Sequence, residues 1–158
     1  MRYKPDTFPL NVPITVSYDT VDNNGNDKVL SKVYQSNPKH RDGSRNKSQW
    51  RITLQDEVML FGWAFENNSF DKKYYWGVIQ QGDKCIELGF TTNRNIGSRI
   101  ARFEHGNPPE IWHGYPVDYI RDPQNDCPGK RLLNNWRDWG IITKADIAKL
   151  ISGRGWKG

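Results

Sequence analysis

The sequence has few cysteines and no long hydrophobic run. Its 158 residues include two cysteines, Cys85 and Cys127, without a CxxC pair. No stretch approaches the roughly 18 apolar residues that a membrane-spanning helix needs, and the N-terminal MRYKPDTFPL lacks the apolar run of a signal peptide. Two thiols favour a reducing compartment over a disulfide scaffold, and their pairing is left open. We therefore expect a cytoplasmic protein without a membrane segment.

Motifs of several enzyme classes are also missing. The chain has no GxxxxGK[ST] loop, no GxGxxG after a strand, no GxSxG elbow and no HExxH pair, so NTPase, dinucleotide-binding and zinc-protease functions lose their support. Glu87 follows a predicted strand, but no basic residue stands two positions on to complete a metal-dependent nuclease centre. The eight-residue separation of His105 and His113 is not a recognised metal-ligand spacing. We expect neither a metal nor a cofactor.

Aromatic residues and positive charge are what the chain has in quantity. Only 35% of the residues are hydrophobic, but they include seven Trp, seven Tyr and six Phe. Each such side chain buries on the order of 150–250 Å². A single domain, 1–158, around an aromatic core is therefore expected. The net charge of +5 favours an anionic partner, nucleic acid first, although a basic surface can also serve solubility alone.

Residues 1–92 have the alternating patterns of an antiparallel β-rich body with about five to six strands. In 12–18 apolar and polar residues alternate, and Pro13 indicates an edge position because it lacks an N–H group. A turn-rich segment, 22–27, joins this strand to 28–34 as a hairpin. The run 57–65 is apolar on both faces, which predicts a central strand. Further strands are predicted at 49–54 and, as a hairpin around 80–83, at 72–79 and 84–90.

The segment 93–128 predicts a short Arg-rich helix and then a long Pro-rich loop. Ile96, Ile100 and Phe103 have helical spacing, with a cap signal before them and a glycine after them. From 108 onwards prolines remove backbone donors and restrict their neighbours, so irregular structure is expected. A loop of about twenty residues is longer than most, and such loops often have a functional reason.

The segment 129–153 predicts a helical hairpin, which makes the fold class α+β. Thr143 and Asp146 stand at capping-box spacing, and Gly140 and Gly153 mark helix ends. The run LLNNWRDWGIITKADIAKLISG also resembles the small C-terminal helical hairpins with a Gly-Ile-Thr turn that are appended to many bacterial proteins. This resemblance covers about 22 residues and implies an interaction element at most. A helix-turn-helix that reads DNA is the alternative to a packing hairpin.

The decapeptide EIWHGYPVDY, 110–119, concentrates hydrogen-bonding side chains in the predicted loop. A turn at 106–110 could bring two imidazoles together beside carboxylates. Imidazoles supply an acid and a base near neutral pH, which metal-independent phosphodiester cleavage requires. The candidate catalytic residues are His113, His105, Glu110 and Asp118. The alternative is a packing loop anchored by Trp112, in which the histidine is structural; for His40 the structural role is favoured.

Cations that could bind phosphate lie in two segments. The loop 37–51 has five basic residues against one acid, with His40 and Trp50 interleaved, as in surfaces that bind single-stranded nucleic acid. Since 36–48 contains no apolar residue, an exposed, solvated loop is the alternative. Arginines of the predicted helix could stabilise charge on a phosphate. The candidate ligand-binding residues are Arg94, Arg99, Arg102, Lys72, Trp112, Tyr115, Lys39, Arg41 and Arg45.

These features predict a protein that binds an anionic ligand, most of all nucleic acid or a nucleotide. Its enzymatic version is a metal-independent, RNase-like phosphodiesterase, and the sequence leaves open whether the chain is an enzyme. The alternative is a protein-binding module, such as an inhibitor or immunity-type partner, that uses exposed aromatic side chains as anchors without catalysis.

Overall fold

A computed structural model describes residues 11–44, 46–91 and 96–158, which form an α+β fold. The strands are β1 (Ile14–Val21), β2 (Asp27–Tyr34), β3 (Gln49–Trp50), β4 (Phe70–Asp71), β5 (Tyr74–Gly77), β6 (Gln80–Gln81), β7 (Lys84–Cys85), β8 (Gly89–Thr91), β9 (Ile96–Ser98), β10 (Ala101–His105) and β11 (Ile111–Pro116). The helices are α1 (Leu54–Glu66), α2 (Lys130–Asp138) and α3 (Lys144–Ile151), and Pro38–His40 forms a 3₁₀ turn. No helix in these ranges is long and apolar enough to cross a membrane.

The largest sheet has the strand order β1-β2-β11-β10-β5-β4. The hairpin predicted from 12–18 and 28–34 is confirmed as β1 and β2, with β1 at the sheet edge. Strand β2 then pairs with β11 in parallel, Val33 opposite Ile111, while β10 lies antiparallel between β11 and β5. The small sheets β3-β8-β9 and β6-β7 contain the remaining strands. In the described part of 1–92 there are eight strands, more than the five to six predicted; β1 and β2 have eight residues each, whereas the other six have two to four, and 49–54 contributes only β3 to them.

The run 57–65 lies in helix α1, so the prediction of a central strand there is wrong. Thr53 caps the helix, because its side chain accepts a hydrogen bond from the backbone N–H of Asp56 at 3.1 Å. Seven of the thirteen α1 residues, including Glu57 and Phe61, are buried. The run 57–65 looked like a two-faced strand because apolar side chains, Met59 and Trp63, also occupy the less buried side of the helix.

The Arg-rich helix predicted after residue 92 is also wrong, because the described part of that segment forms β9 and β10. In β10, Phe103 is fully buried while Arg102 and Glu104 are partly exposed, which is the two-residue period of a strand. Ile96 lies in β9 and Phe103 in β10, which belong to different sheets, and Ile100 lies in the connection between them. The predicted cap, Asn95, lies outside the described residues. Strand β11 likewise forms inside the segment that was predicted to be irregular.

Strand β5 has a hydrophobic core on each face. Tyr75 packs with α1, its ring centroid 6.0 Å from that of Phe61, whereas Trp76 belongs to the core formed with the C-terminal helices, next to Trp136. Both faces of the strand predicted at 72–79 are therefore covered. The helical hairpin itself is confirmed as α2 and α3, and it packs through the second core. Its predicted capping box at Thr143 is present.

The two cysteines are free thiols buried in this second core. Burial raises the pKa of Cys85 to about 11 and that of Cys127 to about 12. Both side chains are therefore protonated at neutral pH and have little nucleophilic character.

Candidate functional site

Strands β10 and β11 bring four polar side chains onto one face of the large sheet. Their antiparallel register places Glu104 opposite His113 and Arg102 opposite Tyr115. Residues directly opposite each other in antiparallel strands point to the same face. Alternation along each strand sends the intervening Phe103 to the other face, where it is fully buried in the α1 core. The strand register thus separates a polar face from an aromatic one.

The polar face borders a depression of about 390 Å³, which we call the histidine pocket. Its wall includes His113, Glu104 and Tyr115 from the strands and His40 from the 3₁₀ turn. The His40 ring lies parallel to the Tyr115 ring, with centroids 5.0 Å apart and an interplanar angle of 12°. Lys47, which is exposed, borders the same space. The pocket thus combines these two imidazoles with a carboxylate, a phenol and an ammonium group, and a third histidine, His105, lines it as well.

Both imidazoles are held by backbone carbonyl groups. Nδ1 of His40 lies 2.8 Å from the carbonyl oxygen of Ser48, and Nδ1 of His113 lies 2.7 Å from that of Gln35. A carbonyl oxygen only accepts, so each Nδ1 carries the proton and donates it. The neutral ring then has its lone pair on Nε2, with which no described residue forms a hydrogen bond. Each Nε2 is therefore available as a base, or as an acid once protonated.

Gly106 keeps the edge of the His113 ring open. A Cβ atom at this position would lie 2.2 Å from Cδ2 and 2.3 Å from Nε2 of His113, well inside van der Waals contact. The backbone of Gly106 has no positive φ that would by itself require glycine. The close approach to the imidazole is therefore what restricts this position, and any larger residue would cover the nitrogen that faces the pocket.

Arg102 fixes the phenol and the carboxylate of the pocket. Its guanidinium lies between the rings of Tyr74 and Tyr115, 4.5 and 5.1 Å from their centroids, and it contacts the Tyr115 hydroxyl. It also forms ion pairs with Asp126 at 3.1 Å and with Glu104 at 3.5 Å. Burial raises the pKa of Tyr115 to about 12, so the phenol stays neutral and donates to Glu104 at 3.3 Å. Arg102 acts through these neighbours and is a positioning residue.

The loop that carries His40 and Lys47 is held from inside by Gln49. This buried amide donates to the carbonyl oxygen of Lys39 at 2.9 Å and accepts from the N–H of Gly43 at 2.9 Å. His40 itself is 7% exposed. The segment 36–48 was predicted to be an exposed loop; Lys39, Gly43 and Lys47 are exposed, but Ser36 and His40 are buried, because polar side chains anchor the loop in place of apolar ones.

A buried ion pair fixes the other end of the 3₁₀ turn. Glu57 of α1 is fully buried, and its Oε1 accepts from Nη2 of Arg41 at 3.0 Å. Tyr34 and Ser36 donate their hydroxyl groups to the same carboxylate at 2.8 and 3.1 Å. Burial raises the pKa of Glu57, while the arginine and the hydroxyls oppose that rise because they stabilise the carboxylate. Arg41 directly follows His40, so this network positions the pocket.

The pKa of His40 gives a first testable expectation. Burial lowers it below its ordinary value of 6.5, and the hydrogen bond to the Ser48 carbonyl opposes this lowering. In the unfolded chain His40 therefore takes up a proton at a higher pH than it does in the folded protein. The stability that this residue contributes is lost as the pH falls below 6.5. We expect the free energy of unfolding, measured with urea, to decrease more in the parent than in His40→Asn when the pH is lowered from about 7.5 to about 5.5. An equal loss in the two proteins would contradict this assignment.

The two histidines that the sequence paired, His105 and His113, both line the histidine pocket but belong to opposite faces of β10 and β11. His105 is opposite Trp112 in the register, and their ring centroids are 4.0 Å apart, on the face opposite to that of His113. His105 lines the pocket, and its Nδ1, like that of His40 and His113, lies next to a carbonyl oxygen, that of Pro109 at 2.6 Å. Trp112 is 3% exposed and belongs to the α1 core. Because the register directs the rings of His105 and His113 to opposite faces of the strands, we assign the proton transfer to His40 and His113 instead.

The two predicted carboxylates lie away from the imidazoles. Glu110 is exposed just before β11. Asp118 follows β11, accepts from the backbone N–H of Arg121 at 3.1 Å and borders a smaller depression of about 130 Å³. This second depression shares Tyr115 with the histidine pocket, so the two form neighbouring parts of one polar surface.

Several predicted ligand-binding cations are engaged within the protein. Arg99 donates to the Cys85 carbonyl oxygen at 2.8 Å, and Lys72 donates to the Cys127 carbonyl oxygen at 3.0 Å. Arg41 is bound to Glu57, so none of these three cations belongs to the candidate site. Lys39 is exposed on the 3₁₀ turn. Arg45 and Arg94 lie outside the described residues.

Sequence reasoning underrated His40 and Glu104 as site residues. The local signal for His40 was its place in the basic loop, next to Lys39 and Arg41.

In the ranges that the structure describes, no group of three or more His, Cys, Asp or Glu residues is arranged to hold a metal ion. The chain matches no protein-family model, no curated protein and no solved structure. A function must therefore be argued from the geometry of the histidine pocket.

Proposed function

We propose that the histidine pocket binds single-stranded RNA and cleaves it by acid–base catalysis, as a metal-independent phosphodiesterase. The observation that carries the proposal is the pair of imidazoles, His40 and His113, at one depression, each with Nδ1 fixed by a carbonyl oxygen and Nε2 left for a substrate. Two such groups suffice for RNA, because the 2′-hydroxyl of the substrate supplies the nucleophile. The net charge of +5 favours such a polyanion.

The roles follow from the surroundings of each ring. Burial keeps the pKa of His40 low, so this imidazole is neutral and serves as the base that removes the proton of the 2′-hydroxyl. The 2′-oxygen then forms a bond to phosphorus while the bond from phosphorus to the 5′-oxygen breaks. His113, which lies opposite Glu104 in the strand register, donates a proton to the leaving 5′-oxygen. Lys47 stabilises the charge on the phosphate. The products are a 2′,3′-cyclic phosphate and a 5′-hydroxyl.

The test is cleavage of a fluorogenic single-stranded RNA by the parent protein with an excess of chelator present. We expect cleavage with a 2′,3′-cyclic phosphate product, and none when the 2′-hydroxyl of the same oligonucleotide is methylated, because the methyl group removes the nucleophile. Equal cleavage of the two oligonucleotides would contradict the mechanism, and no cleavage of RNA under any condition would overturn the proposed activity.

The methylated oligonucleotide also measures the contribution of charge to binding. For about two phosphate contacts, affinity should fall roughly sevenfold when salt rises from about 50 to about 200 mM. Lys47→Ala should flatten this dependence, whereas Lys144→Ala on α3 is the matched control and should leave it unchanged. A dependence that is the same in the parent and in Lys47→Ala would remove Lys47 from the phosphate site.

A further inference from the structure

Helix α1 and the end of α2 expose an apolar strip that the RNA site does not use. Met59 is 43% exposed and Trp139 is 44% exposed. Trp63, one turn after Met59 on α1, stands edge-on to Trp139 with ring centroids 6.3 Å apart. Large apolar side chains that are exposed together mark surfaces at which proteins associate.

Depressions lie on both sides of the ridge formed by Met59 and Trp63. On one side, about 340 Å³ is lined mainly by apolar groups of α1, of the segment after β5 and of the turn after α2, including Ile79 and Ile141. On the other side, about 540 Å³ lies between α1 and β1, where Gly62 leaves room beside the helix. Because Met59 and Trp63 line both, we treat the two depressions as one surface, the α1 groove.

The charge of the α1 groove is opposite to that of the whole chain. Asp56 lines the apolar side, and Asp19 and Glu66 line the other. No lysine or arginine is among the described residues that line either depression, although the chain has a net charge of +5. Glu66 is the last residue of α1, where the helix dipole adds further negative potential. The groove therefore attracts cationic groups to its rim.

We propose that the α1 groove docks an amphipathic helix of another protein, with its apolar face on the Met59–Trp63 ridge and its lysines or arginines against Asp56 and Glu66. A helix presents apolar anchors at a spacing of three or four residues, which matches a ridge made by two residues one turn apart. An acidic rim around an apolar centre selects a basic partner over an acidic one. No residue of the histidine pocket lines this groove, so the docking surface stands independently of the RNA proposal.

The experiment uses a fluorescein-labelled helical peptide of about 18 leucines and lysines with leucine on one face. Its partner probe has glutamate at every lysine position. The parent protein should bind the lysine peptide at micromolar concentration and the glutamate peptide at least about tenfold more weakly, measured by fluorescence anisotropy. Met59→Arg and Asp56→Lys should each weaken the binding of the lysine peptide at least about tenfold. Asp27→Lys, which reverses an exposed carboxylate on β2, is the matched control and should change the affinity less than about twofold.

Other outcomes overturn the proposal. Equal binding of the two peptides, no saturable binding, or an equal loss in Asp27→Lys would show that the α1 groove does not select a basic helix. Sedimentation of the parent at several concentrations tests a second copy as the occupant, and a dimer that Met59→Arg abolishes would replace the assigned partner. Far-UV circular dichroism confirms that each variant is folded.

Discussion

Replacing His40 or His113 with alanine is expected to slow RNA cleavage by roughly 10²- to 10⁴-fold, the range associated with loss of one positioned acid or base. Both rings line the same depression with Nδ1 held by a carbonyl oxygen, so under the proposed mechanism each substitution removes one of the two proton-transfer groups. The double variant should be only slightly slower than the slower single variant, because the two groups act on one reaction. Single-turnover cleavage of the fluorogenic RNA measures all three rates.

His105→Ala is the matched control for these variants. It removes an imidazole next to the pocket whose ring packs on Trp112, on the opposite face of β10 and β11. We expect cleavage to change less than about threefold when the variant is assayed at a temperature at which it is folded. A loss as large as that of His113→Ala would instead support the original pairing of His105 with His113 and would count against His40.

Gly106→Ala tests access to the His113 ring without removing a histidine. It leaves both histidines in place but puts a methyl group where it would lie 2.3 Å from Nε2 of His113. The ring or the backbone must move, so cleavage should fall although no titratable group is lost. Full activity of this variant would mean that Nε2 of His113 does not face the substrate.

Glu57→Ala is expected to reduce the free energy of unfolding by roughly 3–5 kcal/mol, as observed when one partner of a buried ion pair is removed. The substitution leaves the Arg41 guanidinium, 16% exposed, without its carboxylate, and it removes the acceptor of two buried hydroxyl groups. Urea unfolding followed by circular dichroism measures the effect. Glu66→Ala, on the exposed end of the same helix, should cost less than about 0.5 kcal/mol.

The combination of Glu57→Leu with Arg41→Met separates the ion pair from simple packing. Removing both charges avoids an uncompensated buried ion, so the double variant should be more stable than Glu57→Leu alone. It should nevertheless cleave RNA more slowly than the parent, because the turn that holds His40 loses its anchor on α1. A double variant that is less stable than either single variant would mean that the pair itself stabilises the fold.

The elements that the sequence predicted correctly have local signals. The β1–β2 hairpin has alternating residues on both sides of a turn, and the α2–α3 hairpin has a capping box at Thr143. Helix α1 was assigned to the wrong type because its less buried side is also partly apolar. Strand β10 was assigned to the wrong type because residues of β9, of the following connection and of β10 happen to have helical spacing. The secondary structure of such segments depends on tertiary burial, which a local sequence pattern does not show.

The site was predicted only in part, for the same physical reason. His113 and Tyr115 belong to the pocket as expected, since they are two residues apart on one strand. His105 was chosen because it is close in sequence, but the strand register sends its ring to the other face. His40 comes from a distant turn, whose position depends on Gln49 and on the Arg41–Glu57 pair. Only the tertiary fold brings it against Tyr115.

The parallel pairing of β2 with β11 has a consequence for protein synthesis. It brings Gln35 to His113, which is 78 positions later in the chain. A nascent polypeptide on the ribosome carries His40 well before its partners have been translated, and such distant pairings form late in folding. Under the proposed activity, an incomplete chain has no cleavage centre while it is surrounded by ribosomal RNA and by its own messenger.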